Sequence, residues 1–331
     1  MEHTADTIRA EAAAFQETIR ALEAEIGRIF VGQPELVEHL LWCVFCGGHA
    51  LLEGVPGLGK TLLVKTLSQA LNLRFFRIQC TPDLMPADVI GTNLLVEDSQ
   101  GGRGFRFEPG PLFANIVLAD EINRATPKTQ SAFLEAMQEH RVTVFGVSHV
   151  LEEPFCVFAT QNPIEMEGTY PLPEAQLDRF FFKLTVRLPD VEELSRIMAL
   201  TTEDDTPSVK PRADAETVRA MGRLVRQVRI AEDVKRLALR LMLATHPDAP
   251  DAPPAVKRFV RYGASPRAAQ AMILAAKARA LAAGRYHVSA DDIRAVAPPA
   301  LNHRLVLNFE GEMQQMTTDG LVAEVLAATR A

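Results

Sequence analysis

Eight consecutive residues, Gly54-Val55-Pro56-Gly57-Leu58-Gly59-Lys60-Thr61, have the types and spacing that phosphate chemistry requires. They fit a G-x-x-x-x-G-K-S/T pattern and follow the apolar run Ala50-Leu51-Leu52, so a strand is expected to feed a glycine-rich loop that opens a helix. Glycines let the backbone fold inward until its N–H groups, with those of the helix N-terminus, face an anion. Lys60 carries a point charge to the β- and γ-phosphates, and the Thr61 hydroxyl can sit on Mg²⁺. The motif predicts a nucleoside triphosphate site.

A pair of carboxylates, Asp120 and Glu121, closes the run Asn115-Ile116-Val117-Leu118-Ala119. Neighbours on a strand point to opposite faces and could diverge. At the strand's exit they can take separate tasks, Asp120 holding Mg²⁺ directly or through water and Glu121 polarising an attacking water. Alone the pair would read as two solvated carboxylates, and the phosphate loop upstream tips the balance to hydrolysis. Another apolar run, residues 155–160, leads into Gln161-Asn162-Pro163. The Asn162 amide could orient the lytic water or contact the γ-phosphate, while Asn before Pro is equally a common turn. Arg179 immediately precedes an expected strand, and Arg267 lies in the first turn of a helix that Pro266 is suited to start. From the residues alone, each arginine reads as the partner of a surface carboxylate.

The elements that must position these groups follow from apolar patterning. Short apolar runs occur at 50–53, 75–80, 115–120, 155–160 and 181–186. Several are continuous, as in strands buried on both faces of a parallel sheet. Helices at 61–71 and 128–139 supply crossovers, which gives an α/β fold with helices covering a mainly parallel sheet. Ahead of them Ile8, Ala12, Phe15, Ile19, Leu22, Ile26 and Phe30 recur in steps of four and three. That stripe predicts an amphipathic helix docked on its own domain rather than an intermolecular coiled coil. After Leu188-Pro189-Asp190 the strand pattern stops, residues 202–213 read as a loop, and helices are expected at 216–228, 231–244, 266–283, 290–296 and 320–328. A domain boundary near residue 189 is expected.

Composition sets the class. The chain has 331 residues, 47% hydrophobic and 23% charged, which suits a soluble protein of two domains. No apolar run is long enough to span a membrane, and Met1-Glu2-His3-Thr4 lacks the character of a secretory leader, so a cytoplasmic location is expected. Cys43 and Cys46 form a C-x-x-C inside the apolar segment 40–46 without two further ligands at zinc spacing, so buried packing is expected of them. A net charge of −7 argues against a dedicated nucleic-acid binder.

Six motifs in order resemble the MoxR family of AAA+ ATPases over nearly the whole chain. They are Val31-Gly32-Gln33, the phosphate loop, Leu118-Ala119-Asp120-Glu121-Ile122-Asn123-Arg124-Ala125, Ala159-Thr160-Gln161-Asn162-Pro163, Leu172-Pro173-Glu174-Ala175-Gln176-Leu177-Asp178-Arg179-Phe180, and Gly263-Ala264-Ser265-Pro266-Arg267-Ala268. The resemblance implies a P-loop NTPase core with a parallel sheet and a C-terminal all-helical lid. It implies a homo-oligomeric ring, usually a hexamer, with ATP between subunits. The segments would be an N-terminal helix packed on the core (1–30), a nucleotide-binding domain (31–188) and the lid (189–331).

By position, Gly54, Pro56, Gly57, Leu58, Gly59, Lys60, Thr61 and Leu62 would surround ATP, and Val31 and Gln33 would shape the adenine pocket. Thr61 and Asp120 would hold Mg²⁺, and Glu121 would polarise the water. Asn162 would be sensor 1, Arg267 the sensor 2 arginine reaching the phosphates from the lid, and Arg179 the arginine finger on a neighbour's ATP.

Two insertions fit the same family. The stretch 82–112, containing the run Gly101-Gly102-Arg103-Gly104-Phe105-Arg106-Phe107, resembles a helix-2 insert. Residues 141–150 read as a hairpin turning near Gly146 and resemble the hairpin before sensor 1. Phe105 and Phe145 are then partner contacts or a satellite core. The implied task is ATP-driven remodelling or maturation of a protein bearing a von Willebrand factor A domain. A chelatase-type subunit, a DNA-dependent motor and a nucleotide-gated scaffold are the rivals.

Overall fold

The computed structural model describes residues 5–97, 103–163, 168–202 and 208–329, with side chains from residue 10 onward. Met1 to Thr4, the Ile8 side chain, Gly101, Gly102 and part of the expected 202–213 loop lie outside the described residues.

Helices α1 (Ala5–Gly27) and α2 (Pro34–Cys46) precede strand β1 (Ala50–Glu53), and α3 (Lys60–Ala70) leads to β2 (Phe75–Gln79). An insert follows, made of the short α4 (Pro86–Ile90) and the hairpin β3 (Gly91–Glu97) and β4 (Arg103–Pro109). Next come β5 (Ile116–Asp120), α5 (Pro127–Glu139), a second hairpin of β6 (Arg141–Val144) and β7 (Val147–Val150), β8 (Cys156–Gln161), α6 (Glu174–Leu177) and β9 (Phe182–Thr185). The second hairpin turns at Phe145 and Gly146, with φ of 49° and 80°, the paired positive angles that match the twist of its strands.

Five strands form one sheet in the order β2-β5-β8-β1-β9, every neighbouring pair parallel. Its two faces explain the continuous apolar runs. Leu51, Val117, Ala119, Val157 and Ala159 pack with Phe133 and Leu134 of α5. Alternate residues Leu52, Ile116, Leu118 and Phe158 pack on the other face with Trp42 of α2 and Leu63 of α3.

The remainder holds α7 (Val191–Thr202), α8 (Ala215–Gln227), α9 (Glu232–Leu243), α10 (Pro254–Phe259), α11 (Pro266–Ala282), α12 (Ala290–Leu301), α13 (Phe309–Met313) and α14 (Thr318–Ala328). It is not purely helical: β10 (Val260–Tyr262) pairs antiparallel with β11 (Val306–Leu307). Helix α12 runs beyond the expected end at 296 and through Pro298 and Pro299. Those prolines remove two ladder donors, but Val296, Ala297, Pro299, Ala300 and Leu301 are buried, so packing outweighs the loss.

Helix α1 buries its stripe from Ala12 to Ile26 in its own chain, but against more than the core. Gln16 Nε2 donates to Ala282 O of α11 at 3.1 Å, and the buried Glu25 carboxylate takes the Arg212 guanidinium at 2.7 Å. The helix thus joins both halves of the chain. All four cysteines are buried and free, and burial pushes the Cys46 and Cys80 thiols up to about 12, so they serve as apolar packing.

Candidate active site

Because the sheet is parallel, the C-terminal ends of β1, β5 and β8 meet at one edge and carry the phosphate loop, the Asp120-Glu121 pair and Asn162. Gly57 and Gly59 have φ of 86° and 77°, the left-handed region that only glycine adopts freely. No side chain caps α3, so the N–H groups of its first turn are left for an anion. A Cβ on Gly54 would fall 2.9 Å from Val186 O, and one on Gly59 would touch the Phe30 ring at 3.4 Å. The second contact ties the Phe30–Gln33 segment to the loop. Lys60 Nζ donates to Gly54 O at 2.6 Å and Val55 O at 2.8 Å, and burial lowers its pKa against the opposing pull of Asp120 and Glu121.

Strand alternation does not separate the two carboxylates. Glu121 leaves β5 with φ 57° and ψ 52°, and that left-handed turn brings its side chain to the same pocket as Asp120. Its N–H donates to Thr160 Oγ1 at 2.7 Å, and the Thr160 hydroxyl donates to Asp120 Oδ1 at 2.6 Å. A pocket of about 380 Å³ is lined by Pro56 to Thr61, Asp120, Glu121 and Asn162. Asn162 is buried within it. Leu62 is exposed beside the pocket rather than in its wall.

Val31 and Gln33 are buried. Gln33 exchanges two hydrogen bonds with the Arg187 backbone, at 3.2 and 2.9 Å, so it fixes a wall at the exit of β9.

The residues suit a magnesium nucleotide. Thr61 Oγ1 and Asp120 Oδ2 stand 3.4 Å apart and are the hard oxygen donors Mg²⁺ prefers. Among the described residues no group of three or more His, Cys, Asp or Glu side chains could hold a metal by itself. The ion would therefore depend on phosphate oxygens for the rest of its shell.

Arg77 and Gln79 also line the pocket and escaped the sequence reading. Arg77 Nε and Nη2 lie 2.9 and 2.7 Å from Asp120 Oδ2, and Nη2 also donates to Gln79 Oε1 at 2.7 Å. Gln79 Nε2 donates to Glu121 Oε2 at 2.9 Å, an oxygen that Arg124 Nη1 approaches at 3.3 Å. The available signal was two polar residues at alternate positions of the otherwise apolar run Phe75-Phe76-Arg77-Ile78-Gln79.

The two remaining arginines lie elsewhere. Strand β9 pairs with β1 from Ala50↔Phe182 to Glu53↔Thr185, so Arg179, just before β9, sits at the edge opposite the phosphate loop. Its Nη1 donates to Leu134 O of α5 at 3.3 Å. Arg267 Nη1 donates to Asp178 Oδ2 at 2.9 Å, where Ser265 Oγ and Arg304 Nε hold Oδ1 at 2.6 and 2.9 Å. Burial works to raise the Asp178 pKa, but the Ser265 and Arg267 hydrogen bonds and the Arg304 charge outweigh it and leave it lowered.

Neither arginine lines the phosphate pocket of its own chain. The expectation that Arg267 reaches those phosphates from the lid is thus not met within one chain, because Asp178 holds it at the far edge.

Known proteins match this arrangement. Residues 49–182 match the ATPase family associated with various cellular activities (AAA), and residues 254–325 match the AAA lid domain. Chaperone MoxR1 of Mycobacterium tuberculosis is 42% identical across 95% of this chain and 82% of its own. Protein MoxR of Methylorubrum extorquens is 30% identical across 91% of both chains. The crystal structure of a Cytophaga hutchinsonii protein described as a putative ATPase superposes with a TM-score of 0.90 at 38% identity, covering 97% of each chain. Identity at this level over whole chains, together with the nucleotide fold and its lid, leads to one conclusion: the chain belongs to the MoxR family of AAA+ ATPases.

Proposed function

We propose that this ATPase works as a ring, a hexamer by resemblance to its family, in which each Mg²⁺-bound ATP is hydrolysed at the seam between two copies.

 The carrying observation is the division of the catalytic set: Lys60, Thr61, Asp120, Glu121 and Asn162 stand at one edge of the sheet, and Arg179 and Arg267 stand at the other. A set divided in this way is complete only when one copy presents its arginine edge to the next copy's phosphate loop.

In this reading Lys60 leaves the carbonyls of Gly54 and Val55 for the β- and γ-phosphates. Thr61 and Asp120 would hold Mg²⁺, which would supply charge neutralisation on the phosphates. Glu121 accepts a hydrogen bond from the attacking water and turns its lone pair toward phosphorus, while the Asn162 amide steadies that water or the γ-phosphate. Arg179 of the neighbouring copy stabilises the charge that develops on the transferred group, and Arg267 arrives with it. The division of the chain into 1–30, 31–188 and 189–331 belongs to the same reading, hydrolysis shifting the last segment against the second. Phosphate release measured per subunit against protein concentration tests it. Turnover should climb steeply as the ring assembles, and a rate per subunit independent of concentration and of oligomeric state would contradict it.

The work done is remodelling of a partner protein that carries a von Willebrand factor A domain. Support comes from the two inserts. The Phe107 ring stacks on His149 with centroids 3.8 Å apart and planes 20° from parallel, which ties the first hairpin to the second. Phe105 on the first hairpin and Phe145 at the turn of the second are 77% and 80% exposed, so neither ring is packed into a satellite core. One relative is itself named a chaperone. Glu121→Gln held with ATP should retain a von Willebrand factor A protein from native lysate, and retention of nucleic acid instead would favour a motor.

A further inference from the structure

The end of the sheet remote from the phosphate loop has a pocket of its own, about 430 Å³ in volume. Its wall includes Gly47 and Phe155, which stand just before β1 and β8, so it lies at the N-terminal ends of those strands. One side is helix α8. Arg219, Arg223 and Arg226 recur on that helix in steps of four and three, share one face and all line the pocket. Gly222, among them, lets α8 close on α2, since a Cβ there would fall 2.8 Å from Phe45 O. The arginines are short of partners. Among the described residues none of the three stands in an ion pair, and their only side-chain hydrogen bond runs from Arg219 Nη1 to Glu153 O at 2.6 Å. Lys277 of α11 adds a fourth cation close by: its Nζ donates to Arg226 O at 3.0 Å, and burial followed by the Arg226 charge lowers its pKa. Among the described residues of the wall, Glu153 is the one carboxylate.

We propose that this pocket binds a small molecule bearing two or more phosphate groups, gripped by Arg219, Arg223 and Arg226. Like charges gathered on one face repel unless an anion sits among them, and this gathering stands out in a chain of net charge −7. The helix end beneath does not account for it. The last carbonyls of α2 already have donors, Val44 O taking the Gly47 N–H at 3.3 Å and Cys43 O the Gly48 N–H at 2.7 Å. Planar guanidinium forks match phosphate oxygens in pairs, and a concave wall of this volume selects a small ligand over the backbone of a nucleic acid. The opposite wall offers a further contact. His140 lines the pocket with a buried Nδ1 that has no hydrogen-bond partner, Glu153 Oε1 standing 3.8 Å away. A ligand held from both sides would brace α8 against the residues that lead into β1 and β8.

The probe is inorganic pyrophosphate, titrated calorimetrically into the full chain at low salt. Lys60→Ala disables the phosphate loop, so the pyrophosphate this variant still binds reports the second pocket. Adding Arg223→Ala and Arg226→Ala to it should weaken that binding at least about tenfold. No binding by Lys60→Ala, or equal binding once the two arginines are gone, overturns the inference. Should the triple variant not fold, modification of arginine by phenylglyoxal in Lys60→Ala gives the answer with the pocket intact. Pyrophosphate should slow modification of Arg223 and Arg226, and an unchanged rate at both overturns the inference.

Discussion

Arg267 donates to Asp178 at 2.9 Å, and Asp178 is the residue immediately before Arg179. This contact couples an arginine of the helical lid to an arginine of the core and sets both at the edge of the sheet remote from the phosphate loop. The buried Arg304 completes the junction by donating to the same carboxylate and to the carbonyl of Phe180. A shift of the lid therefore has a direct mechanical path to the Arg179 segment.

Removing the Arg179 guanidinium should spare binding and abolish turnover. Arg179→Ala is expected to bind a fluorescent ATP analogue as wild type does and to lose on the order of 10³ in phosphate release. Unchanged turnover would exclude Arg179 from the reaction.

Asp178→Ala should cost stability. Arg304, its side chain 2% exposed, would lose the carboxylate that compensates its buried charge, an effect of about 3 kcal/mol. A chemical denaturation midpoint equal to wild type would show that the backbone carbonyls around Arg304 suffice without Asp178. Because the Asp178 pKa is lowered on folding, its contribution is present above the ordinary carboxylate range and is lost as pH falls through it.

Thr160→Val tests the bridge between the two carboxylates. The hydroxyl accepts the Glu121 N–H and donates to Asp120, and valine has the shape without either bond. Turnover should fall by roughly 10²-fold with nucleotide binding retained, since Glu121 loses its fixed exit from β5. Wild-type turnover in this variant would show that the left-handed turn alone positions Glu121.

Acid should unfold the chain through His49. Its Nδ1 accepts the Val157 N–H at 2.9 Å, so Nε2 carries the proton and donates to Met137 O at 3.0 Å. Burial pushes its pKa down to about 4, against a favourable bond to Met137 O and with His140 adding a smaller repulsion. The unfolded chain binds the proton first, so stability falls as pH drops from about 6.5 toward 4, by up to about 3 kcal/mol for this one residue. Melting temperatures recorded between pH 7 and pH 4.5 should decline across that window. A flat profile would contradict a neutral, buried His49.

Much of this was legible in the sequence because it is local. The strand, glycine loop and helix from Ala50 to Ala70 are contiguous, and so are the Asp120-Glu121 exit and the hairpin whose turn needs Gly146. Arg77 and Gln79 were not legible as site residues, since their partners Asp120 and Glu121 reach them only across the β2–β5 pairing. The same holds for Asp178 and Arg267, which meet across 89 residues. Helix α12 outruns its expected end at 296 because local rules ignore the burial of Ala300 and Leu301, which holds it together through Pro298 and Pro299. The short β10–β11 pair carries too few residues to show an alternating pattern.

The central claim is that a working site needs two copies, and mixing two inactive variants tests it most directly. Lys60→Ala has a defective phosphate loop with Arg179 intact, and Arg179→Ala has the reverse. Each should be inactive alone. Mixed before assembly, they should recover phosphate release, because the Arg179→Ala copy keeps an intact loop that the Lys60→Ala copy can supply with its arginine. Absence of recovered activity at every mixing ratio, in rings shown to contain both variants, would contradict a site shared between subunits.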